Sequence, residues 1–130
     1  MTSILHVDDE SAFLEMVRRF LEKIDSKLSV SIISSPEQAL KLLEEKKFDL
    51  IISDFDMPGL NGLDFLKKLR RDGHNVPFLM LTGKGTEEIQ LQARISGVAK
   101  YMKKRGSAVA LVHELYEEIM KIVSPVANFL

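Results

Sequence analysis

Along the chain, short apolar blocks alternate with longer stretches in which apolar residues recur every three or four positions. The first block, Ser3 to Val7, predicts a strand that ends at Asp8 and Asp9. Phe13, Leu14, Val17, Phe20, Leu21 and Ile24 follow at the spacing of one helix face. Leu28 to Ser34 is rich in β-branched residues and reads as a second strand. Ser35-Pro36-Glu37-Gln38 opens a helix for local reasons. Ser35 can accept from an unpaired backbone N–H, Pro36 suits the first helical position, and Gln38 stands where a capping box needs it. Ala39, Leu40 and Leu43 form the stripe of that helix.

Leu50-Ile51-Ile52 is a continuous apolar run, as a strand covered on both faces requires. Met57-Pro58-Gly59 and Asn61-Gly62 punctuate the loop after it, and Leu63, Leu66 and Leu69 give a third helix. Pro77 to Leu81 predicts a fourth strand, with proline at the first residue, where a missing donor is tolerated. Thr86-Glu87-Glu88 starts a fourth helix through Ile95, and Gly97 is its stop signal. Val98 to Met102 is a short fifth strand. Ser107 caps a last helix lined by Ala108, Leu111, Leu115, Ile119 and Ile122. Strand and helix alternate throughout, which implies an α/β fold: a doubly wound, five-stranded parallel sheet with helices on both faces.

Composition acts mainly by exclusion. The 130 residues fit one domain, and 45% apolar with 28% charged is an ordinary globular balance. There is no cysteine, which removes disulfides and thiolate metal sites. A net charge of −1 argues against direct nucleic-acid binding and against a membrane-surface role. The run Ile4-Leu5 is too short for a signal peptide, and no apolar stretch approaches the ~20 residues of a spanning helix. The expectation is a soluble cytoplasmic protein. No Gly-rich loop follows the first strand, so a dinucleotide or P-loop site has no support.

The chemically interesting residues fall at the predicted strand ends. Asp8 and Asp9 close the first strand, Asp54 the third and Thr82 the fourth, and Lys104 follows the fifth. In a parallel sheet all these ends share one edge, and ligands bind there where strand order reverses. Three converging carboxylates repel unless a cation lies among them, and oxygen ligands without imidazole or thiol favour Mg²⁺ or a similar divalent ion such as Mn²⁺. A carboxylate nucleophile at Asp54, a metal, the Lys104 ammonium and the Thr82 hydroxyl are the parts that phosphoryl transfer needs. Gly83 beside Thr82 leaves space for the phosphoryl group.

Val7-Asp8-Asp9-Glu10, the segment Ile52-Ser53-Asp54-Phe55-Asp56-Met57-Pro58-Gly59-Leu60-Asn61-Gly62, Leu81-Thr82-Gly83 and Tyr101-Met102-Lys103-Lys104 together resemble the response-regulator receiver domains of bacterial and archaeal two-component signalling. The resemblance covers about residues 3 to 122, and its strongest piece is the Asp-x-x-Met-Pro-x-x-x-Gly segment. It implies the flavodoxin-like receiver fold with strand order 2-1-3-4-5, a receiver domain over residues 1–123, and a tail or linker stub over 124–130. It also implies Asp54 as phosphoacceptor, and metal binding by Asp9 directly, Asp8 through water, Asp54, and the backbone carbonyl of Asp56. Thr82 and Lys104 would contact the phosphoryl oxygens. Tyr101 would be the aromatic switch that follows Thr82. The implied donor is a phosphohistidine on a sensor histidine kinase or phosphotransfer domain. The readout for a downstream protein would be the surface of the fourth helix, fifth strand and fifth helix. Such a domain catalyses only its own phosphorylation and dephosphorylation, and acts as a monomer or a phosphorylation-linked dimer.

Two features qualify the likeness. The family usually has a proline after the lysine, joined by a cis peptide, whereas Arg105 stands here. A cis bond before a non-proline residue costs about 3–4 kcal/mol, so a trans bond or a strained exception is expected. Lys103 competes with Lys104, although spacing from Tyr101 in the family favours Lys104. Asp56 and Lys84 fall where the family tunes the lifetime of the acyl phosphate.

Blander roles exist for each residue. Asp8 and Asp9 could simply cap a helix, Asp54 and Asp56 could end a solvated strand, Thr82 could be a turn residue, and Tyr101 could only pack. No second histidine is placed to make a metal site with His6 or His74, His113 falls on the polar side of its helix, and none of the three is given a function. Asp54-x-Asp56 also resembles the haloacid-dehalogenase phosphatases, but there the Asp-x-Asp follows the first strand and the acidic pair comes late. A phosphorylation-independent binding module of the same fold is the other reading. Such a module usually loses one of the acidic, threonine or lysine positions, and this chain keeps them all.

Overall fold

The computed structural model describes residues 1–124, so all of the expected tail except Ser124 lies outside the described residues. Strand and helix alternate as β1 (Thr2–Val7), α1 (Ser11–Ile24), β2 (Leu28–Ile33), α2 (Pro36–Glu45), β3 (Leu50–Ser53), α3 (Gly62–Arg71), β4 (Phe78–Thr82), α4 (Glu87–Ile95), β5 (Lys100–Lys103) and α5 (Ala108–Val123). All strands pair in parallel in the order β2-β1-β3-β4-β5. β1 therefore has β2 on one side and β3 on the other. Because crossovers are right-handed, reversing direction at β1 sends helices to opposite faces. One apolar cluster joins the sheet to α1 and α5 through Val17, Leu21, Leu111 and Leu115. The other joins it to α2, α3 and α4 through Ala39, Leu43, Phe65, Leu66 and Ala93.

The helix starts form where local chemistry places them. Ser35 accepts from Gln38 N at 3.1 Å, Thr86 from Ile89 N at 3.2 Å and Ser107 from Ala110 N at 3.1 Å. Gly97 adopts φ +93 just past α4, the left-handed turn that its position foretold. Two strand starts shift. β4 begins at Phe78, one residue after Pro77, whose carbonyl nevertheless accepts from Ile51 N at 2.9 Å. β5 begins at Lys100, because Val98 N is used to close α4 on Ala93 O. Some expected stripe positions are also not covered. Phe20, Ile24 and Ala108 are exposed, since they lie at the margin or in the first turn of their helices, while Phe65, missed in the α3 stripe, is fully buried.

The sheet interior holds one polar surprise. His6 pairs in register with Ile32 on β2 and Ile52 on β3, and its ring meets Phe13 edge-on at 5.8 Å. Both ring nitrogens lack a hydrogen-bond partner among the described residues. Burial, and then the charge of Lys104, pushes the imidazole down to about 3. The folded state thus holds His6 neutral, whereas the unfolded chain protonates it below ~6.5. Stability from this residue is complete above the unfolded value and is lost as pH falls toward the folded one, at up to ~1.4 kcal/mol per pH unit. His6→Leu should raise the thermal midpoint slightly at pH 7, because it removes an unpaired polar group. It should also flatten the decline in stability between pH 6 and pH 4, as followed by circular dichroism. An equally steep decline in the variant would contradict this assignment.

Candidate functional site

The C-terminal ends of β1, β3, β4 and β5 converge on a cleft of about 340 Å³ lined by Asp9, Glu10, Asp54, Asp56, Thr82, Gly83, Lys84 and Lys104. Asp8 lies beneath it, fully buried. The Asp8 carboxylate accepts from Lys104 Nζ at 2.7 Å and, through its other oxygen, from Glu10 N at 2.9 Å. Asp54 is nearly buried, accepts from Phe55 N at 2.8 Å and stands 3.6 Å from Lys104 Nζ. Lys104 Nζ also reaches Glu10 at 3.4 Å and lies 4.3 Å from the centre of the Phe13 ring. One ammonium is thus shared by three carboxylates and an aromatic face.

Burial pushes the Asp8 carboxyl above its usual range, although Lys104 and the Glu10 amide pull the other way. Burial would lower Lys104, but the bond to Asp8 and the charges of Asp8, Asp54 and Glu10 outweigh it and hold the ammonium above its ordinary value.

Carboxylate oxygens of Asp8, Glu10 and Asp54 lie within 4.8 Å of one another. This all-oxygen set suits a hard divalent cation such as Mg²⁺. Glu10, which sequence reasoning noted only as part of an acidic run, belongs to this triplet, whereas Asp9 is exposed and lines the cleft without joining it. The backbone explains the difference. The turn closed by Glu10 N on Asp8 folds the chain back and brings Glu10 over the cleft, and no local signal distinguishes it from Asp9.

The remaining predicted residues are also here. Thr82 is fully buried at the end of β4, with its hydroxyl accepting from Lys84 N at 3.4 Å. Asp56 and Lys84 pair across the cleft mouth at 3.3 Å, both well exposed. Lys103 points to solvent while Lys104 enters the site, which separates the two lysines. The bond between Lys104 and Arg105 is trans, as expected for a non-proline residue, and the chain turns at Gly106 (φ +78) into the Ser107 cap. The Tyr101 ring is turned inward, its hydroxyl buried and without a hydrogen-bond partner among the described residues. Burial and the Asp54 charge push this phenol up.

Gly62 fixes the loop that carries Asp54. A Cβ there would collide with the Asp54 carbonyl oxygen and lie 2.8 Å from Phe55 Cα, and Gly62 N donates to Phe55 O at 2.7 Å. α3 therefore starts directly against the backbone of residues 54–55. Asn61 caps it by accepting from Asp64 N at 2.8 Å.

The arrangement of sheet and helices is that of a receiver domain, and the comparisons with known proteins show the family. A family model described as the response regulator receiver domain matches residues 4–116, and the chain belongs to this family. It is 34% identical over 104 residues to the cyclic di-GMP phosphodiesterase response regulator RpfG of Xanthomonas campestris, covering 78% of this chain and 28% of that protein. It is 32% identical over 112 residues to the response regulator SaeR of Staphylococcus aureus, covering 86% of this chain and 48% of SaeR. The chain thus spans less than half the length of either relative. Among solved structures, a receiver domain protein from Clostridium thermocellum superposes with a TM-score of 0.82 at 27% identity, with both chains fully covered. The chemotaxis response regulator CheY4 of Vibrio cholerae gives 0.76 at 28% identity over 91% of this chain and 98% of its own. No helix among the described residues is long and apolar enough to cross a membrane.

Two stability measurements test this geometry. Lys104→Met leaves the buried Asp8 carboxylate without its partner, which should cost about 3–5 kcal/mol in urea unfolding at pH 7. The deficit should shrink toward pH 5 as Asp8, already raised, takes up a proton; a pH-independent deficit would contradict the pairing. Gly62→Ala should cost about 2 kcal/mol or more, because the obstruction is backbone that cannot step aside.

Proposed function

We propose that this chain is the phosphoacceptor switch of a two-component phosphorelay, and that Asp54 receives the phosphoryl group. The observation that carries this reading is the seat of Asp54: a nearly buried carboxylate at the end of a central strand, 3.6 Å from a lysine ammonium and facing a cleft rich in oxygen ligands. The donor is a phosphohistidine of a sensor kinase or phosphotransfer domain. A carboxylate oxygen of Asp54 attacks phosphorus, the P–N bond breaks as the P–O bond forms, and the released imidazole takes up a proton. The Phe55 N–H holds one Asp54 oxygen and so orients the other. Lys104 supplies positive charge where the phosphoryl oxygens gather it, and the Thr82 hydroxyl is the second group on hand to meet them.

Asp8, Glu10 and Asp54, with Asp9 and the Asp56 carbonyl at the cleft, are the residues that would hold Mg²⁺. When bound, such an ion neutralises charge on the phosphoryl oxygens. Phosphorylation then shifts a conformational population in which Thr82 and Tyr101 move together and the surface of α4, β5 and α5 presents the change to a downstream protein. RpfG and SaeR are both response regulators by name, which supports this reading.

Intact-mass measurement with a small-molecule phosphodonor and Mg²⁺ tests it. Wild type should gain one phosphoryl adduct, and Asp54→Asn should gain none. An adduct that persists in Asp54→Asn moves the acceptor elsewhere. A folded wild type that takes up neither phosphoryl nor beryllofluoride is a module that works without phosphate.

A further inference from the structure

Gly85 has no backbone reason to be glycine. It is absent from the glycines with positive φ, which are Gly59, Gly73, Gly97 and Gly106. What it lacks is room. A Cβ at this position would fall inside the Tyr101 hydroxyl, 2.8 Å from Tyr101 Cζ and 3.0 Å from Thr82 Cγ2. Gly83, two residues earlier, is different: a Cβ there would meet only Lys104 Cβ at an ordinary 3.8 Å. The phenol of Tyr101 thus occupies the volume that any other residue at 85 would fill, against the methyl group of the threonine at the end of β4.

The inward ring gains no hydrogen bond for its hydroxyl from any described residue, so polar pairing with them is not what holds it there. Packing into the space over Gly85 and Thr82 does. An alternative place exists on the outer side of β5, where a groove of about 210 Å³ runs past Tyr101 between Gln90, Lys103, Arg105 and Glu114. Rotation about the tyrosine side-chain torsions moves the ring from one place to the other without moving the strand.

We propose that Gly85 is a positioning residue for the switch: its missing side chain forms the seat in which Tyr101 rests inward before any phosphoryl group arrives, and a side chain at 85 expels the ring to the surface. This rests on the reading of Tyr101 as the switch residue. It adds that residue 85 sets the resting balance, so that phosphorylation acts on a population already tilted inward.

The chain has two tyrosines and no tryptophan, so in a Tyr116→Phe background Tyr101 is the sole long-wavelength fluorophore. Acrylamide quenching then reads the exposure of its ring directly. With Gly85 present, quenching should be weak without ligand and weaker still with Mg²⁺ and beryllofluoride, as the population tilted inward is drawn further in. Gly85→Ala should raise the quenching constant severalfold, whereas Gly83→Ala should leave it unchanged. A folded Gly85→Ala protein with weak quenching overturns the proposal, as does strong quenching with Gly85 in place.

If Gly85→Ala folds poorly, the double variant with Tyr101→Ala decides. Recovery of the thermal midpoint to that of Tyr101→Ala alone supports the seat, and no recovery overturns it. Phosphoryl uptake measured by mass on the same proteins keeps the two readings apart. Absence of both a phosphoryl adduct and beryllofluoride uptake defeats the role of Asp54 and leaves the quenching result standing. A phosphorylated Gly85→Ala protein with a buried ring defeats the role of Gly85 alone.

Discussion

The ammonium of Lys104 is the charge on which the upper edge of the sheet depends. Three carboxylates within 4.8 Å of one another repel by roughly 3–4 kcal/mol per pair at an effective dielectric of ~20. Among the described residues Lys104 is the one cation paired with all three, and it comes from the far end of the chain, 96 positions from Asp8. Its bond to Asp8 offsets the burial of a carboxylate with no exposed surface. The same crowding makes the cleft hungry for a further cation.

The sheet supplies the rigidity that such a balance needs. β1, β3 and β4 are largely buried strands; Asp8 and Asp54 are the first positions after β1 and β3, and Thr82 is the last paired residue of β4, so each side chain is aimed by a strand held on both sides. The helices complete the frame. Gly62 lets α3 begin against the backbone of Asp54, and Glu37 at the start of α2 accepts from Leu60 N at 3.3 Å in the loop between them. The bond from the Tyr116 hydroxyl to Asp25 at 2.8 Å ties α5 to the end of α1.

Much of the molecule was legible from sequence because its signals are local. A strand ends where apolar residues give way to aspartate, and a helix starts where serine, threonine or asparagine can accept from an unpaired N–H. Ser35, Thr86, Ser107 and Gly97 all behave as those rules require. Parallel topology then carries Asp8, Asp54, Thr82 and Lys104 to one edge, since every strand contributes its C-terminal end there. The trans bond before Arg105 is one of the two outcomes that the cost of a cis peptide without proline left open.

Tertiary structure alone decided the matters that depend on distance between elements remote in sequence. Glu10 instead of Asp9 joins the tight carboxylate group because of a turn one residue long. His6 is a neutral, unpartnered imidazole because the register sets it between two isoleucines under Phe13. Gly62 and Gly85 matter for what lies beside them, and those neighbours come from another strand or from the loop before the helix. The sequence by itself determined the order of elements, the chemistry at the strand ends and the family, all of which are written in short-range patterns. Which acids touch and where the Tyr101 ring rests were decided by packing, which brings together residues that no local pattern relates.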